Sequence, residues 1–220
     1  MNPSPAASAG APASPCAFPS LEDFIGDARD SGLAPWLSWA PWEITGRSEF
    51  IVRQLLQAIR ADEFHVADEV AVHRSATVER GAVLKGPLIV GANAFVAAGA
   101  YLRGGSWIGG DCILGPGTEL KSSFVFHRSK LAHFNFVGDS ILGSGVNLEA
   151  GSIICNYRNE RPDKEILVRV AGALQRTGCE KFGALVGDHS RIGANAVLAP
   201  GALLASGTVV GRTALRDDEA

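Results

Sequence analysis

Read in sixes from Val66, residues 66–131 run VADEVA, VHRSAT, VERGAV, LKGPLI, VGANAF, VAAGAY, LRGGSW, IGGDCI, LGPGTE, LKSSFV and FHRSKL. Every block opens on an apolar residue: Val66, Val72, Val78, Leu84, Val90, Val96, Leu102, Ile108, Leu114, Leu120 and Phe126. The fifth position is mostly small or apolar, as at Val70, Ala76, Ala82, Leu88, Ala94, Ala100, Ser106, Cys112 and Thr118. A helix would repeat its apolar positions every 3.6 residues, and an ordinary strand would alternate without a reset every six. A fixed period held this long marks a repeat architecture, an all-β parallel β-helix built from hexapeptides.

Three hexads make one triangular coil in such a fold, so residues 18 apart stack one strand spacing, roughly 4.8 Å, from each other. The first residue of each hexad faces the core and the second faces away, because side chains alternate across a strand. Small residues occupy many second positions, as at Gly91, Ala97, Gly109 and Gly115.

Working outward, the first 19 residues are rich in Pro, Ala and Ser and read as a disordered tail, without the basic and apolar regions of a signal peptide. Residues 20–62 read as a helical, Trp-rich cap. Ser20 and Asp23 hint at a capping box before a short helix ending at Gly32. Trp36, Trp39 and Trp42 read as an aromatic plug over the open first coil, with a ligand box as the alternative. Residues 48–60 carry apolar positions spaced for an amphipathic helix. The β-helix is expected over 63–156 and, for its last coils, over 185–212. Extra residues are expected in AHFNFVGDSI after Phe126. Residues 157–184 have no hexad register and must be extruded as a loop or arm, leaving 213–220 as a polar tail.

The chain has 220 residues and a formal net charge of −3, which creates no field favouring nucleic acid or membrane. No apolar run reaches the roughly 18 residues that span a bilayer. Four cysteines (Cys16, Cys112, Cys155 and Cys179) lack metal or redox spacing, so a reduced, cytoplasmic chain is expected.

Chemistry-bearing residues stand out against this frame. Lys85, Arg103 and Lys121 each hold the second position of a hexad, 18 residues apart, and should form one vertical column. Three stacked cations repel unless solvent or an anion screens them. The column therefore reads either as a solvated stripe or as a phosphate clamp, with Arg103 supplying a bidentate fork. His133 lies among Phe134, Asn135 and Phe136, and histidine is the side chain suited to general-base work near neutrality. His127 shares an expected column with His73, but two intervening coils separate them. No metal site is expected.

The pieces YLRGG, ELKSS, LAHFNFVGDS and GVNLEAGSIICNY, spaced without a gap from Arg103 to Tyr157, resemble the acetyltransferase domain of the bifunctional glucosamine-1-phosphate acetyltransferase/N-acetylglucosamine-1-phosphate uridyltransferase family. The resemblance implies a left-handed winding, a homotrimer with sites in clefts between chains, and acetyl-CoA as co-substrate. It implies His133 as the base that deprotonates a sugar amine. It further implies that Arg103 and Lys121 hold phosphate and that Asn147 and Asn156 hold the sugar; Lys85 joins the phosphate set only through its place in the column. Ala150, Gly151 and Ala194 then fall beside the coenzyme.

Departures from the family pattern lie on the rim. A tyrosine is replaced by Phe136, GAG becomes Glu149-Ala150-Gly151, a basic residue after the NY pair becomes Pro162, and a serine near the coenzyme becomes Ala194. No nucleotidyl-transfer motif accompanies these pieces. The expected function is therefore acyl-CoA-dependent acyl transfer to an amino-sugar phosphate or nucleotide-linked sugar. A non-catalytic sugar-phosphate-binding or scaffolding trimer is the alternative, and a β-helical carbonic anhydrase-like metalloenzyme is a more distant one.

Overall fold

The computed structural model describes residues 18–219; the expected tail, up to residue 17, and Cys16 lie outside the described residues. The architecture is the parallel β-helix, left-handed as in the hexapeptide class, with three walls of short stacked strands. One wall runs through Val70–His73, Leu88–Val90, Ser106–Ile108, Phe124–Val125, Ile141–Leu142, Ala184–Val186 and Ala202–Leu204. A second runs from Thr77–Val78 to Val209–Val210, and a third from Val83–Leu84 to Leu215–Arg216. The prism is filled by Val90, Val96, Leu102, Ile108, Leu114, Leu120, Leu131, Leu148, Ile154 and their like, nearly all fully buried.

Register shows where the hexad frame holds. Leu84, Leu102 and Leu120 pair at 18-residue steps, but Ile108 pairs with Val125 and Leu120 with Val137, one residue short. AHFNFVGDSI thus carries no extra residues. Two corners are instead tightened, around Ser122 and Asp139, each a single residue in the left-handed region (φ 49° and 45°), whereas the preceding coil turns through both Gly104 and Gly105. The shift moves Val125 into the core and turns Phe126 outward, where its ring meets Trp107 edge-on at 5.2 Å. It also places Phe126, rather than His127, in the column of His73. Val66 departs too: Phe64–Ala67 pairs antiparallel with Val70–His73, and Val66 is exposed.

The N-terminal segment is not a plug over the first coil. Its helices α1 (Pro41–Gly46) and α2 (Ser48–Gln57), with short 3-10 turns before them, lie along the outside of the first wall. Leu21, Ile25, Trp42, Ile44, Ile51 and Val52 bury themselves against Ile89, Phe124, Ile141 and Leu185. The cause is an outward apolar ladder (Ala71, Ile89, Trp107, Phe124, Ile141, Leu185, Leu203) that a bare wall would expose to water. Ser20 does form the capping box with Asp23, although only a 3-10 turn follows.

The non-hexad segment leaves at Asn156 and returns at Phe182, whose N–H donates to the Asn156 carbonyl. Between them Leu167–Val170 and Ala173–Arg176 form an antiparallel hairpin. The polar tail folds back onto this arm. Arg158, with only 5 % of its side chain exposed, meets Asp217 at 2.7 Å and Glu219 at 3.2 Å.

Candidate active site

The third wall presents two outward columns, and the basic one is as stacked as its spacing requires: Lys121 faces Arg103 across the parallel ladder. Its charges are compensated from within the chain. Lys121 Nζ donates to both oxygens of Asp139, at 2.8 and 3.0 Å, and Arg103 reaches Glu119 Oε1 through Nη2 at 2.7 Å and Nε at 3.0 Å. Lys85 and Arg103 also approach the Tyr101 ring, at 5.1 and 5.6 Å from its centroid. Carboxylates and one aromatic face thus relieve the repulsion expected of three stacked cations, with no bound anion needed.

On the next rung the column reaches Gly138. A Cβ there would lie 2.7 Å from Asn156 Nδ2 and 2.9 Å from Phe136 Cζ, so the missing side chain is what lets both approach. Asn156 in turn donates to the Asp139 carboxylate. The result is an open groove of about 520 Å³ lined by Arg103, Lys121, Phe136, Asn156 and Tyr157, with Glu180 and Lys181 from the foot of the arm. Four residues proposed from sequence meet here. Lys181 was not among them, because 24 residues of arm hide its neighbourhood to Asn156. Asp139 and Glu119 were also missed, although both lie beside the basic column in sequence.

Lys85 is exposed at the edge and does not line the groove. Asn147 lies on the second wall, pairing with Lys130 and Arg191, and lines a different cavity of about 380 Å³ with Glu149 and Arg212. The structure does not bring Asn147 and Asn156 together within one chain.

His133 sits at the corner between the second and third walls. Gly151 N–H donates to the His133 carbonyl at 2.8 Å, and Asn195 N–H donates to the Ala150 carbonyl at 3.0 Å. His133, Ala150 and Ala194 therefore occupy the same corner on successive rungs. The His133 side chain is exposed and makes no hydrogen bond among the described residues, and neither does the Ala150 N–H. Exposed Phe134 follows His133 at φ 52°. Gly151 has φ 70°, which strains a side chain, and a Cβ on it would fall 2.2 Å from Asn195 Oδ1, so a side chain here would have to displace Asn195.

One contact at the corner was not foreseen. Glu149, in place of a small residue, accepts from Ala194 N–H at 2.8 Å and from Arg212 at 2.8 and 3.0 Å. The Arg212 guanidinium, then the Ala194 amide, hold its carboxyl well below the usual range, at about 2. His127 plays a structural part: its Nδ1 accepts the Gly110 N–H at 2.9 Å. Among the described residues no three His, Cys, Asp or Glu side chains converge as a metal site, and no helix is long and apolar enough to cross a membrane.

No family model matches the chain. The bifunctional sugar-1-phosphate nucleotidylyltransferase/acetyltransferase of Sulfurisphaera tokodaii is 39% identical over 88 residues, covering 40% of this chain and 21% of that protein. The bifunctional protein GlmU of Methanococcus vannielii is 31% identical over 109 residues, covering 50% of this chain and 26% of the relative. The chain is thus a hexapeptide-repeat protein related over about half its length to these bifunctional proteins, and its matches span about a quarter of theirs or less. Among solved structures, AntD, an N-acyltransferase from Bacillus cereus in complex with dTDP and 3-hydroxybutyryl-CoA, superposes with a TM-score of 0.39 at 15% identity, covering 75% of this chain and 77% of that one. Likeness at that level carries no functional argument.

Proposed function

We propose that this chain is an acyl-CoA-dependent acyltransferase, with acetyl-CoA as donor and an amino-sugar phosphate or nucleotide-linked sugar as acceptor, acting as a homotrimer. The observation that carries the reading is the separation of two half-sites on one wall. Arg103, Lys121 and Asn156 form an anion-type groove at one edge, and His133 stands exposed at the other. The strand Phe136–Gly138 lies between them, roughly 10 Å at about 3.3 Å per residue. In this reading a second chain brings its corner against the groove, so that an acceptor held there meets His133 of the neighbouring chain. The third wall has the surface for this: Val83, Tyr101, Phe136, Ile153, Val197 and Leu215 form an outward column, interrupted by Glu119, with no cover like that of the first wall among the described residues.

In this reading His133 takes the proton of the acceptor amine or hydroxyl as it attacks the thioester carbonyl. The unpartnered Ala150 N–H, on the neighbouring rung, supplies a donor to the developing oxyanion, and the thiol of coenzyme A leaves. Ala150, Gly151 and Ala194 would line the pantetheine arm. A thiol-release assay with acetyl-CoA and a panel of amino-sugar phosphates and nucleotide amino sugars tests this. His133→Ala should lower kcat by roughly 10²–10⁴-fold while acceptor affinity persists. Turnover that survives the substitution removes His133 from the role.

One observation favours the second reading, a binding or scaffolding trimer. The Glu149 carboxylate already occupies the Ala194 N–H and draws Arg212 across the coenzyme corner. That reading predicts no thiol release from any acyl-CoA and undiminished sugar-phosphate affinity.

A further inference from the structure

A second cavity, of about 530 Å³, lies on the other side of the Lys121–Asp139 pair from the groove. One flank is the corner at Lys121 and Ser122; the other is the turn from α1 into α2, with Arg47 and the first residues of α2. The two flanks are locked together. The Ser48 hydroxyl donates to the Gly104 carbonyl at 3.0 Å, and a Cβ on Gly105 would stand 2.4 Å from the Glu49 nitrogen.

Three features of this cavity remain uncommitted. Ser122 is only 8 % exposed, yet its hydroxyl has no hydrogen-bond partner among the described residues. Its buried neighbours Ser106, Ser123 and Ser140 all donate to backbone carbonyls. The ten-residue helix α2 begins without a side-chain cap, so its first-turn amides lack a capping acceptor, while Glu49 in that turn offsets part of the dipole. Arg47 stacks over Trp39 at 4.7 Å and has no ion-pair partner among the described residues. The cavity's carboxylates are already engaged: Glu49 with Arg53 at 3.2 Å, and Asp139 with Lys121 and Asn156. What is left over is a set of donors and positive charge, the chemistry of an anion site.

We propose that this cavity is a second anion subsite, continuous with the acceptor groove through Lys121, and that the acceptor carries two linked anionic groups, as a diphosphate does. The proposal rests on the groove being a phosphate site. Arg103 and Lys121 would hold one phosphoryl group, and Ser122, Arg47 and the start of α2 the other. A diphosphate ester would then be selected over a simple sugar phosphate, and the Lys121–Asp139 pair is the partition that both groups touch.

Calorimetric titration of the full chain with inorganic phosphate and with pyrophosphate tests the subsite apart from catalysis. Pyrophosphate should bind at least tenfold tighter than phosphate. Ser122→Gly, which suits the φ of 49° and removes the hydroxymethyl group, and Arg47→Gln should each forfeit most of that advantage, with phosphate affinity unchanged and Tm within a few degrees of wild type. Pyrophosphate binding no tighter than phosphate, or a full advantage retained in both variants, overturns the subsite. Arg103→Ala separates the two readings. If it weakens both anions while the other variants do nothing, the groove stands and the subsite falls. If only Ser122→Gly and Arg47→Gln weaken binding, the joint site is overturned and the anion lies in this cavity alone.

Discussion

Lys121 Nζ lies 2.8 and 3.0 Å from the two carboxylate oxygens of Asp139, a residue 18 positions later on the next rung. With side-chain exposures of 19% and 7%, this is a largely buried ion pair. Removing one partner strands the other, at a cost on the order of 3 kcal/mol. Lys121→Ala should therefore lose stability in urea unfolding and bind sugar phosphate at least tenfold more weakly, about 1.4 kcal/mol. Adding Asp139→Ala should restore much of the stability and none of the affinity. Affinity recovered by the double variant would assign Lys121 a purely structural part.

Arg158 anchors the arm. Its guanidinium is held by Asp217 and Glu219, and Nη2 also donates to the Pro200 carbonyl at 3.1 Å. Arg158→Ala leaves Asp217 without its ion-pair partner and Glu219 with Arg161 alone, and should cost on the order of 3 kcal/mol. Hydrogen exchange should rise in 157–181 and in the C-terminal tail, with the coils before residue 140 unchanged. Uniform acceleration along the whole chain would show that the arm is integral to the β-helix rather than docked on it.

The Glu149–Arg212 pair gives a pH signature. Its folded carboxyl titrates at about 2, against an ordinary value of 4.5, so the folded state prefers the ionised form. The stabilising increment is full above pH 4.5 and is lost as pH falls through about 2. Wild type should be more stable than Glu149→Gln at pH 6, with the gap closing toward pH 2. The pair is exposed and the gap small. A gap independent of pH would mean that the carboxylate is not the source.

Cys112 is a core thiol. Burial pushes it up to about 12, and its Sγ donates to the Phe126 carbonyl at 3.0 Å. At pH 8 a thiol reagent should leave Cys112 unmodified in the native chain and label it only in denaturant. Labelling at the unfolded rate without denaturant would show that the prism opens around it.

The hexads made the prism legible because the inward positions answer to a local rule: one apolar residue per short strand, every six residues. The basic column was legible for the same reason, since Leu84, Leu102 and Leu120 keep the 18-residue step on which Arg103 and Lys121 depend. The tightened corners at Ser122 and Asp139 were not. Each omits one residue at a turn, and a period count attributes the missing residue to whichever hexad it reaches next. The apolar ladder of Ile89, Trp107 and Phe124 was visible in the sequence. Its meaning depended on knowing that those side chains face outward and need a cover.

By itself the sequence determined the repeat, the inward core and the stacking of Arg103 on Lys121, all from spacing within a few turns of chain, while His133 became a candidate base only through its local chemistry and the resemblance. Only the tertiary structure decided which charges neutralise one another, that Lys181 joins Asn156 across the arm, and that the N-terminal helices sheath a wall. These contacts join residues from 16 to more than 100 positions apart. Their partners are selected by burial and charge compensation between surfaces that exist only once the coil has wound, and no local period encodes such a pairing.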